Sequence, residues 1–113
     1  MKIPKSNWSK KFIELMYNRC CMGFFRYGSA AENSKTTKML SNAEIRIREY
    51  KKTGNTEFLV DASNFLMFEF MYPKHKKAHF KATSHEESPG IVGFAPNKLV
   101  EEIENKIYKH EGN

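Results

Sequence analysis

The most apolar segment of the chain, GNTEFLVDASNFLMFEFMYP (54–73), limits the fold more than any other feature. A glycine opens it and a proline closes it, and these residues are typical of helix boundaries. Between them, apolar residues occur on all sides of a helix. The segment therefore predicts a central helix over 56–71 that packs against several neighbours. It also carries four polar side chains, one of which is the only aspartate in the protein: Glu57, Asp61, Asn64 and Glu69.

Two helices are predicted ahead of this segment. The first runs from about 7 to 22, with Ser6 or Asn7 as its N-cap, and its apolar stripe leaves Arg19 to one side. The second covers 36–52. Its apolar stripe consists of Leu40, Ala43, Ile47 and Tyr50.

The second of these helices has two alternatives. Ser41 followed by Glu44 fits a capping box, which would start the helix at Ala43 instead. The strict alternation in EIRIRE (44–49) would also suit a strand. No second alternating run lies nearby to pair with such a strand, so we expect a helix.

The rest of the chain is predicted to form a basic loop and a last helix. The loop covers 73–95 and contains the densest run of positive charge, KHKKAHFK (74–81). The last helix covers 96–111, and its narrow apolar stripe would either close the bundle or pair with a second subunit. These elements predict an all-α fold, a four-helix bundle-like single domain over 1–113 with a long loop before the last helix. Its three-helix core would lie within 6–72.

The composition of the chain indicates the kind of partner and the compartment that suit it. The formal net charge of +6 and the pI of about 9.3 favour an anionic partner, such as a nucleotide, a nucleic acid or an acidic protein surface. No apolar run reaches the ~18 residues of a membrane span, and the N-terminus lacks the apolar core of a signal peptide. The two cysteines, Cys20 and Cys21, are adjacent and are interpreted as reduced thiols. We therefore expect a cytoplasmic protein that does not enter a membrane.

The polar residues of the central helix share one face. Glu57, Asp61 and Asn64 are four and three residues apart, so they form one stripe. An ionised carboxylate enters apolar surroundings only with a cation, hydrogen-bond donors or a shifted pKa. Three explanations follow. Asp61 pairs with Arg46 or Arg48 of the second helix, the acids hold a metal ion, or the face binds a basic partner or a second copy of the chain.

The metal explanation names a specific set of ligands. Glu57 and Asp61, completed by Glu44 or Glu49 of the second helix, would give an oxygen-rich site of the kind that Mg²⁺ occupies together with substrate phosphates. Metal-activated water would then hydrolyse the substrate, which makes Glu57 and Asp61 the candidate catalytic residues. Side chains that would bind the substrate and its phosphate charge are Asn64, Arg48, Lys77 and Lys81.

Four segments carry a family resemblance: MGFFRYG (22–28), RIREY (46–50), KKTGN (51–55) and EFLVDASNFLMFEF (57–70). Over roughly residues 12–72 the chain resembles the all-α, MazG-like nucleoside triphosphate pyrophosphohydrolases, in particular their small phage-encoded relatives. The resemblance implies a Mg²⁺ site made by acidic residues of two facing helices. It also implies cleavage of a nucleoside triphosphate to the monophosphate and pyrophosphate, and a homo-oligomer.

The acidic motif differs from that family in two places. Family members carry E-x-x-D on the third helix, whereas Glu57 and Asp61 are one residue further apart. The preceding E-E-x-x-E is represented only by Glu44 and Glu49, which do not share a helix face. We expect a small nucleotide-binding protein, either a Mg²⁺-dependent pyrophosphohydrolase or a degenerate relative. The alternative is a non-enzymatic phage or mobile-element protein that binds and inhibits a host factor, for instance in antiviral defence.

Overall fold

All regular structure in residues 2–84, the part of the chain that the computed structural model describes, is helical. A 3-10 turn at Lys5–Asn7 precedes four α-helices: α1 (Lys10–Tyr27), α2 (Ala30–Asn33), α3 (Met39–Thr53) and α4 (Glu57–Met71). The predicted all-α, bundle-like fold class is confirmed. Within the same residues, no helix combines the length and the apolarity needed to cross a bilayer.

The chain divides into two units, Met1–Lys76 and Lys77–Asn113. All of the helices above belong to the first unit. The described residues of the second unit, 77–84, contain neither helix nor strand. The predicted last helix, 96–111, lies outside the described residues. That the whole of 1–113 forms a single domain stays a prediction.

α1 begins and ends later than predicted. Its N-cap is Ser9, whose hydroxyl accepts a hydrogen bond from the backbone N–H of Phe12 at 3.0 Å. The predicted caps, Ser6 and Asn7, belong to the 3-10 turn instead. The helix continues past position 22 as far as Gly28, where φ is +82°. Glycine adopts this conformation without a steric penalty, so it ends the helix cleanly.

A single helical turn, α2, links α1 to α3. The hydroxyl of Ser29 accepts a hydrogen bond from the N–H of Glu32 at 3.1 Å and caps the turn. The side-chain amide of Asn33 donates to the carbonyl oxygens of Tyr27 and Ser29, both at 2.9 Å. These bonds fasten α2 to the C-terminal end of α1. One turn is too short to show a hydrophobic period, which is why the sequence does not predict it.

α3 begins at Met39, so the capping-box start at Ala43 and the strand alternative are both wrong. Its buried positions are Met39 and Ala43, whereas Leu40, predicted to face inward, is 50% exposed. The inward face then continues through Arg46, which lies three residues after Ala43 and covers the ring of Phe65. The predicted apolar stripe lies slightly to one side of this face. The prediction counted only apolar residues and left out Arg46, although the aliphatic stem of an arginine can pack against apolar surface.

α4 has the bounds that its flanking glycine and proline predict. Gly54 ends α3 in the left-handed conformation, with φ of +72°. The side chain of Asn55 then accepts a hydrogen bond from the N–H of Glu57 at 3.0 Å, and α4 runs to Met71, two residues before Pro73. It contacts both α3 and α1, and the contact with α3 is the more extensive. α4 is therefore the central helix, as predicted.

The best-buried part of the described fold is the contact between α3 and α4. The buried apolar side chains of residues 2–84 all belong to these two helices and are small or flexible: Met39, Ala43, Val60 and Ala62, each 5% exposed or less. Ala43 and Ala62 let the two helix backbones approach closely, because neither side chain extends beyond Cβ. The position of α3 relative to α4 therefore depends on these small residues, and it sets the shape of the groove described next.

Candidate functional site

A groove of about 560 Å³ lies among the four helices of the first unit. Its volume falls within the range of about 300–1,000 Å³ that is usual for small-molecule sites. The polar side chains that line it are Arg19, Arg26, Asn33, Thr37, Asn42, Arg46, Asp61 and Asn64. The aromatic rings that line it are Phe24, Tyr27, Phe65 and Phe68.

Asp61, the lone aspartate, is held by an arginine of α1. Nε of Arg19 donates to Oδ1 of Asp61 at 3.1 Å, and Nη2 donates to Oδ2 at 3.2 Å. The same Nη2 lies 3.0 Å from Oε1 of Glu57. The hydrogen bond to Asp61 raises the pKa of Arg19 above its ordinary value, and burial opposes it only in part. One guanidinium thus contacts both carboxylates of the predicted acidic stripe.

The partner of Asp61 differs from the prediction, which named Arg46 or Arg48. The prediction placed Arg19 outside the inner face of α1 because that face was defined by apolar residues alone. Arg19 nevertheless lies three residues after Met16 and therefore on the same side of the helix. Both side chains are half-buried, as the inner face requires. The spacing of Arg19 from Met16 was the signal in the sequence that could have identified it.

Arg46 takes a different position, over an aromatic ring of α4. Its Cζ atom lies 5.4 Å from the ring centroid of Phe65, within the range of a cation–π contact. The ring of Phe65 meets that of Phe68 edge to face, with centroids 6.4 Å apart and planes at 86°. The stacked guanidinium and the two rings form one wall of the groove. Arg48, two residues further along α3, is exposed and does not line it.

The predicted Mg²⁺ ligands do not assemble into one site in the described residues. Glu57 and Asp61 bind Arg19, which occupies carboxylate oxygens that a metal would need. On α3, Glu44 is exposed, and Oε1 of Glu49 lies 4.0 Å from Nζ of its own neighbour Lys52. Residues 2–84 contain no group of three His, Cys, Asp or Glu side chains that could hold a metal ion. The Mg²⁺ site and the catalytic roles of Glu57 and Asp61 stay predictions.

Two of the predicted substrate-binding residues, Asn64 and Arg48, belong to the first unit. Asn64 lines the groove, close to Asp61 on the same face of α4, whereas Arg48 does not line it. Lys77 and Lys81 belong to the second unit. All four assignments stay predictions.

Glu69, the last of the acids on the central helix, has a structural role. Its Oε2 accepts a hydrogen bond from the backbone N–H of Lys74 at 2.9 Å. The ammonium of Lys74 in turn donates to the backbone carbonyl of Thr37 at 2.7 Å. Together these bonds hold the chain where it leaves α4 after Pro73.

The two adjacent cysteines lie in different surroundings. Cys20 is half-buried and lines the groove, whereas Cys21 is exposed on the other side of α1. Burial raises the pKa of Cys20, and the neighbouring Cys21 adds to the shift. A raised pKa means less thiolate at neutral pH, so Cys20 is a poor nucleophile here. Both thiols are free, as predicted.

The groove is electropositive. Three arginines line it against a single carboxylate, which leaves two net positive charges among the lining residues. Arg19 is committed to Asp61 and Glu57. Neither Arg26 nor Arg46 has a carboxylate partner within residues 2–84. Two guanidinium groups are therefore available to a ligand beside exposed and half-buried aromatic rings.

Comparison of the chain with protein-family models, with curated proteins and with solved structures found no match. The MazG-like relationship accordingly stays a resemblance of four sequence segments. The structure shows an all-α fold with an arginine-rich, aromatic-lined groove.

Proposed function

We propose that the first unit binds a nucleotide, or a closely similar ligand that carries phosphate and an aromatic ring, in the groove between its helices. The observation that carries the proposal is the joint presence, in one cavity of about 560 Å³, of four aromatic rings and two guanidinium groups that have no carboxylate partner within residues 2–84. Each part of such a ligand has a matching partner there.

The arginines of the groove suit the phosphate groups of such a ligand. A guanidinium group presents a planar fork of donors that matches two oxygens of a phosphate, and these charge-assisted hydrogen bonds are stronger than neutral ones. Arg46 is already oriented by Phe65, at 5.4 Å from its centroid, so less conformational freedom is lost on binding. Arg26 of α1 is exposed and also lines the groove.

The aromatic rings of the groove suit the base of such a ligand. A base stacks on an aromatic side chain with an energy of about 1–3 kcal/mol, and every base offers a face for it. Phe24 and Tyr27 are 67% and 73% exposed although they line the groove. Large apolar rings at the mouth of a basic groove have unused surface that a flat ring would cover. Phe65 and Phe68 continue this surface inward.

The first test is a titration of the full chain with the four nucleoside triphosphates, with and without Mg²⁺, followed by calorimetry. We expect at least one nucleotide to bind, and Arg46→Met to raise its Kd about tenfold, which is the ~1.4 kcal/mol expected for one charged contact. Inorganic tripolyphosphate, which lacks the base, should bind more weakly than the nucleotide.

Arg48→Met is the matched control, because it removes the same side chain from the same helix two residues outside the groove. It should leave Kd within about twofold, apart from a small effect of net charge. If no nucleotide binds at millimolar concentration, or if both variants weaken binding equally, the groove is not the binding site.

Hydrolysis by a Mg²⁺-dependent pyrophosphohydrolase, which the family resemblance implies, would be an extension of this proposal. The arrangement of Glu57 and Asp61 on Arg19 provides no metal site through which a hydrolytic step can be derived. The same titration mixtures can be assayed for pyrophosphate, with Asp61→Asn as the control. Product formation that depends on Mg²⁺ and on Asp61 would establish the enzyme; binding without product would establish a degenerate relative.

Protein binding without catalysis is a second candidate function, and a separate surface favours it. The outer face of α1, defined here as Tyr17, Cys21 and Phe25, lies opposite the face that packs on α4. Tyr17 is 69% exposed and Phe25 is 92% exposed. Exposed aromatic rings of this kind are enriched at interfaces. This surface suits a homo-oligomer, or the alternative of a phage or mobile-element protein that blocks a host factor.

Sedimentation velocity over a range of protein concentrations checks the simplest form of this candidate, a second copy of the chain. We expect the chain to associate and Phe25→Ser to weaken the association at least tenfold, because the most exposed ring of the face is lost. Lys11→Ser, an equally drastic change at another exposed site of α1, should leave it unchanged. A chain that sediments as a monomer at every concentration would contradict self-association.

A further inference from the structure

The most unusual polar atom beside the groove is Oδ1 of Asn64, which is buried. Asn64 is 6% exposed, the least of any polar residue in the described part of the chain, and it nevertheless lines the groove. Its amide nitrogen donates to the backbone carbonyl of Met16 on α1 at 3.0 Å. No group within residues 2–84 donates a hydrogen bond to its Oδ1.

The orientation of this amide is determined by its neighbour on α1. The carbonyl of Met16 can only accept a hydrogen bond, so the NH₂ group of Asn64, and not its oxygen, must face it. A flipped amide would set two acceptors against each other. Oδ1 is therefore presented as an acceptor. A buried acceptor without a donor costs free energy, and groups of this kind are rare in native structures.

The neighbours of Asn64 show which part of a ligand would reach it. Asp61, Asn64, Phe65 and Phe68 are three or four residues apart and share one face of α4. The two rings beside Asn64 offer surface to a base, and the guanidinium of Arg46 lies over the ring of Phe65. A base that stacks on these rings would present its edge to Asn64, with its phosphates toward the arginines.

We propose that Oδ1 of Asn64 accepts a hydrogen bond from an amino group on the base, so that the groove selects nucleotides that carry this amino group over analogues that lack it. This inference rests on the proposed nucleotide-binding function and adds the feature of the base that is read. A buried acceptor discriminates strongly, because an analogue without the donor leaves it unsatisfied once the ligand has excluded water.

Two matched pairs of ligands test the inference on the unmodified full-length protein. Adenosine triphosphate is compared with purine riboside triphosphate, and cytidine triphosphate with 2-pyrimidinone riboside triphosphate; each pair differs only by the amino group. We expect the amino-bearing member of at least one pair to bind about tenfold more tightly, which corresponds to ~1.4 kcal/mol. This comparison needs no variant, so it does not depend on the folding of a mutant.

Variants then assign the preference to the side chain. Asn64→Leu, of similar size but without an acceptor, should bring the two members of the pair to within about twofold of each other. Ser63→Ala is the control, because the hydroxyl of Ser63 donates to the carbonyl of Leu59 on its own helix at 2.9 Å and does not line the groove. It should keep the preference.

The outcomes separate the two proposals. Equal affinity within both pairs on the unmodified protein overturns the role of Asn64 and leaves nucleotide binding intact. A preference that persists unchanged in a folded Asn64→Leu variant overturns the assignment to this residue. If neither these ligands nor any of the four common nucleoside triphosphates binds, nucleotide binding itself is overturned, and the inference falls with it.

Discussion

Replacing Arg19 with methionine is expected to lower the free energy of unfolding by about 2 kcal/mol, the usual cost of leaving a buried charged acceptor without its donors. The side chain of Asp61 is only 16% exposed, so water cannot fully replace the two hydrogen bonds from the guanidinium. Methionine keeps most of the apolar stem and removes the charge, so the loss reports the ion pair and not a cavity. Urea unfolding followed by circular dichroism measures it.

Two controls separate this pair from ordinary surface charge. Arg48→Met removes an exposed arginine of α3 and should change the free energy of unfolding by less than about 0.5 kcal/mol. Glu57→Gln removes the other carboxylate on Arg19, but the Glu57 side chain is 50% exposed, so about 0–1 kcal/mol is expected. If Arg19→Met and Arg48→Met destabilise equally, the pair with Asp61 contributes nothing specific.

A double-mutant cycle measures the interaction between Arg19 and Asp61 directly. Combining Arg19→Met with Asp61→Asn should cost less than the sum of the single changes, since the second change removes the carboxylate that the first leaves unpaired. An arginine is protonated at neutral and moderately alkaline pH, and the hydrogen bond to Asp61 raises the pKa of Arg19 further. Deprotonation of Arg19 should therefore not break the ion pair over this pH range. The double-mutant cycle can be measured at any pH within the range.

The limits of α4 could be predicted because single residues determine them. Gly54 supplies the left-handed conformation that ends α3, and Pro73 prevents the helix from continuing. These effects are local, so sequence alone reveals them. The same holds for the apolar character of α4, which predicts a central position.

The groove could not be predicted in the same way. Arg19 and Asp61 are 42 residues apart, and no local pattern links them. A prediction based on apolar stripes also misses such residues, because it assigns arginines to the solvent-facing side of a helix. Arg46, one of the two arginines named as a possible partner of Asp61, lies over Phe65 instead, and its position depends on how α3 and α4 rotate about their contact. That rotation is a property of the packed helices and not of either helix alone.

The position of α3 on α4 leads to the second large effect, which concerns a small residue. Replacing Ala43 with leucine is expected to lower the free energy of unfolding by about 2 kcal/mol, the typical cost of overpacking a well-filled contact. Ala43 is 2% exposed, and the helix that carries it makes its most extensive contact with α4. A leucine can be accommodated only if α3 moves away from α4 or if neighbouring side chains leave their preferred rotamers.

The same substitution tests whether this contact shapes the groove. Arg46 lies one turn after Ala43, so a shift of α3 would move its guanidinium away from Phe65 and raise the Kd for a bound nucleotide together with the loss of stability. Ala31→Leu makes the identical change at an exposed position of α2 and should alter the free energy of unfolding by less than about 0.5 kcal/mol. If Ala43→Leu is as well tolerated as Ala31→Leu, the helices are not in close contact at this position, and the geometry of Arg46 over Phe65 must depend on other residues.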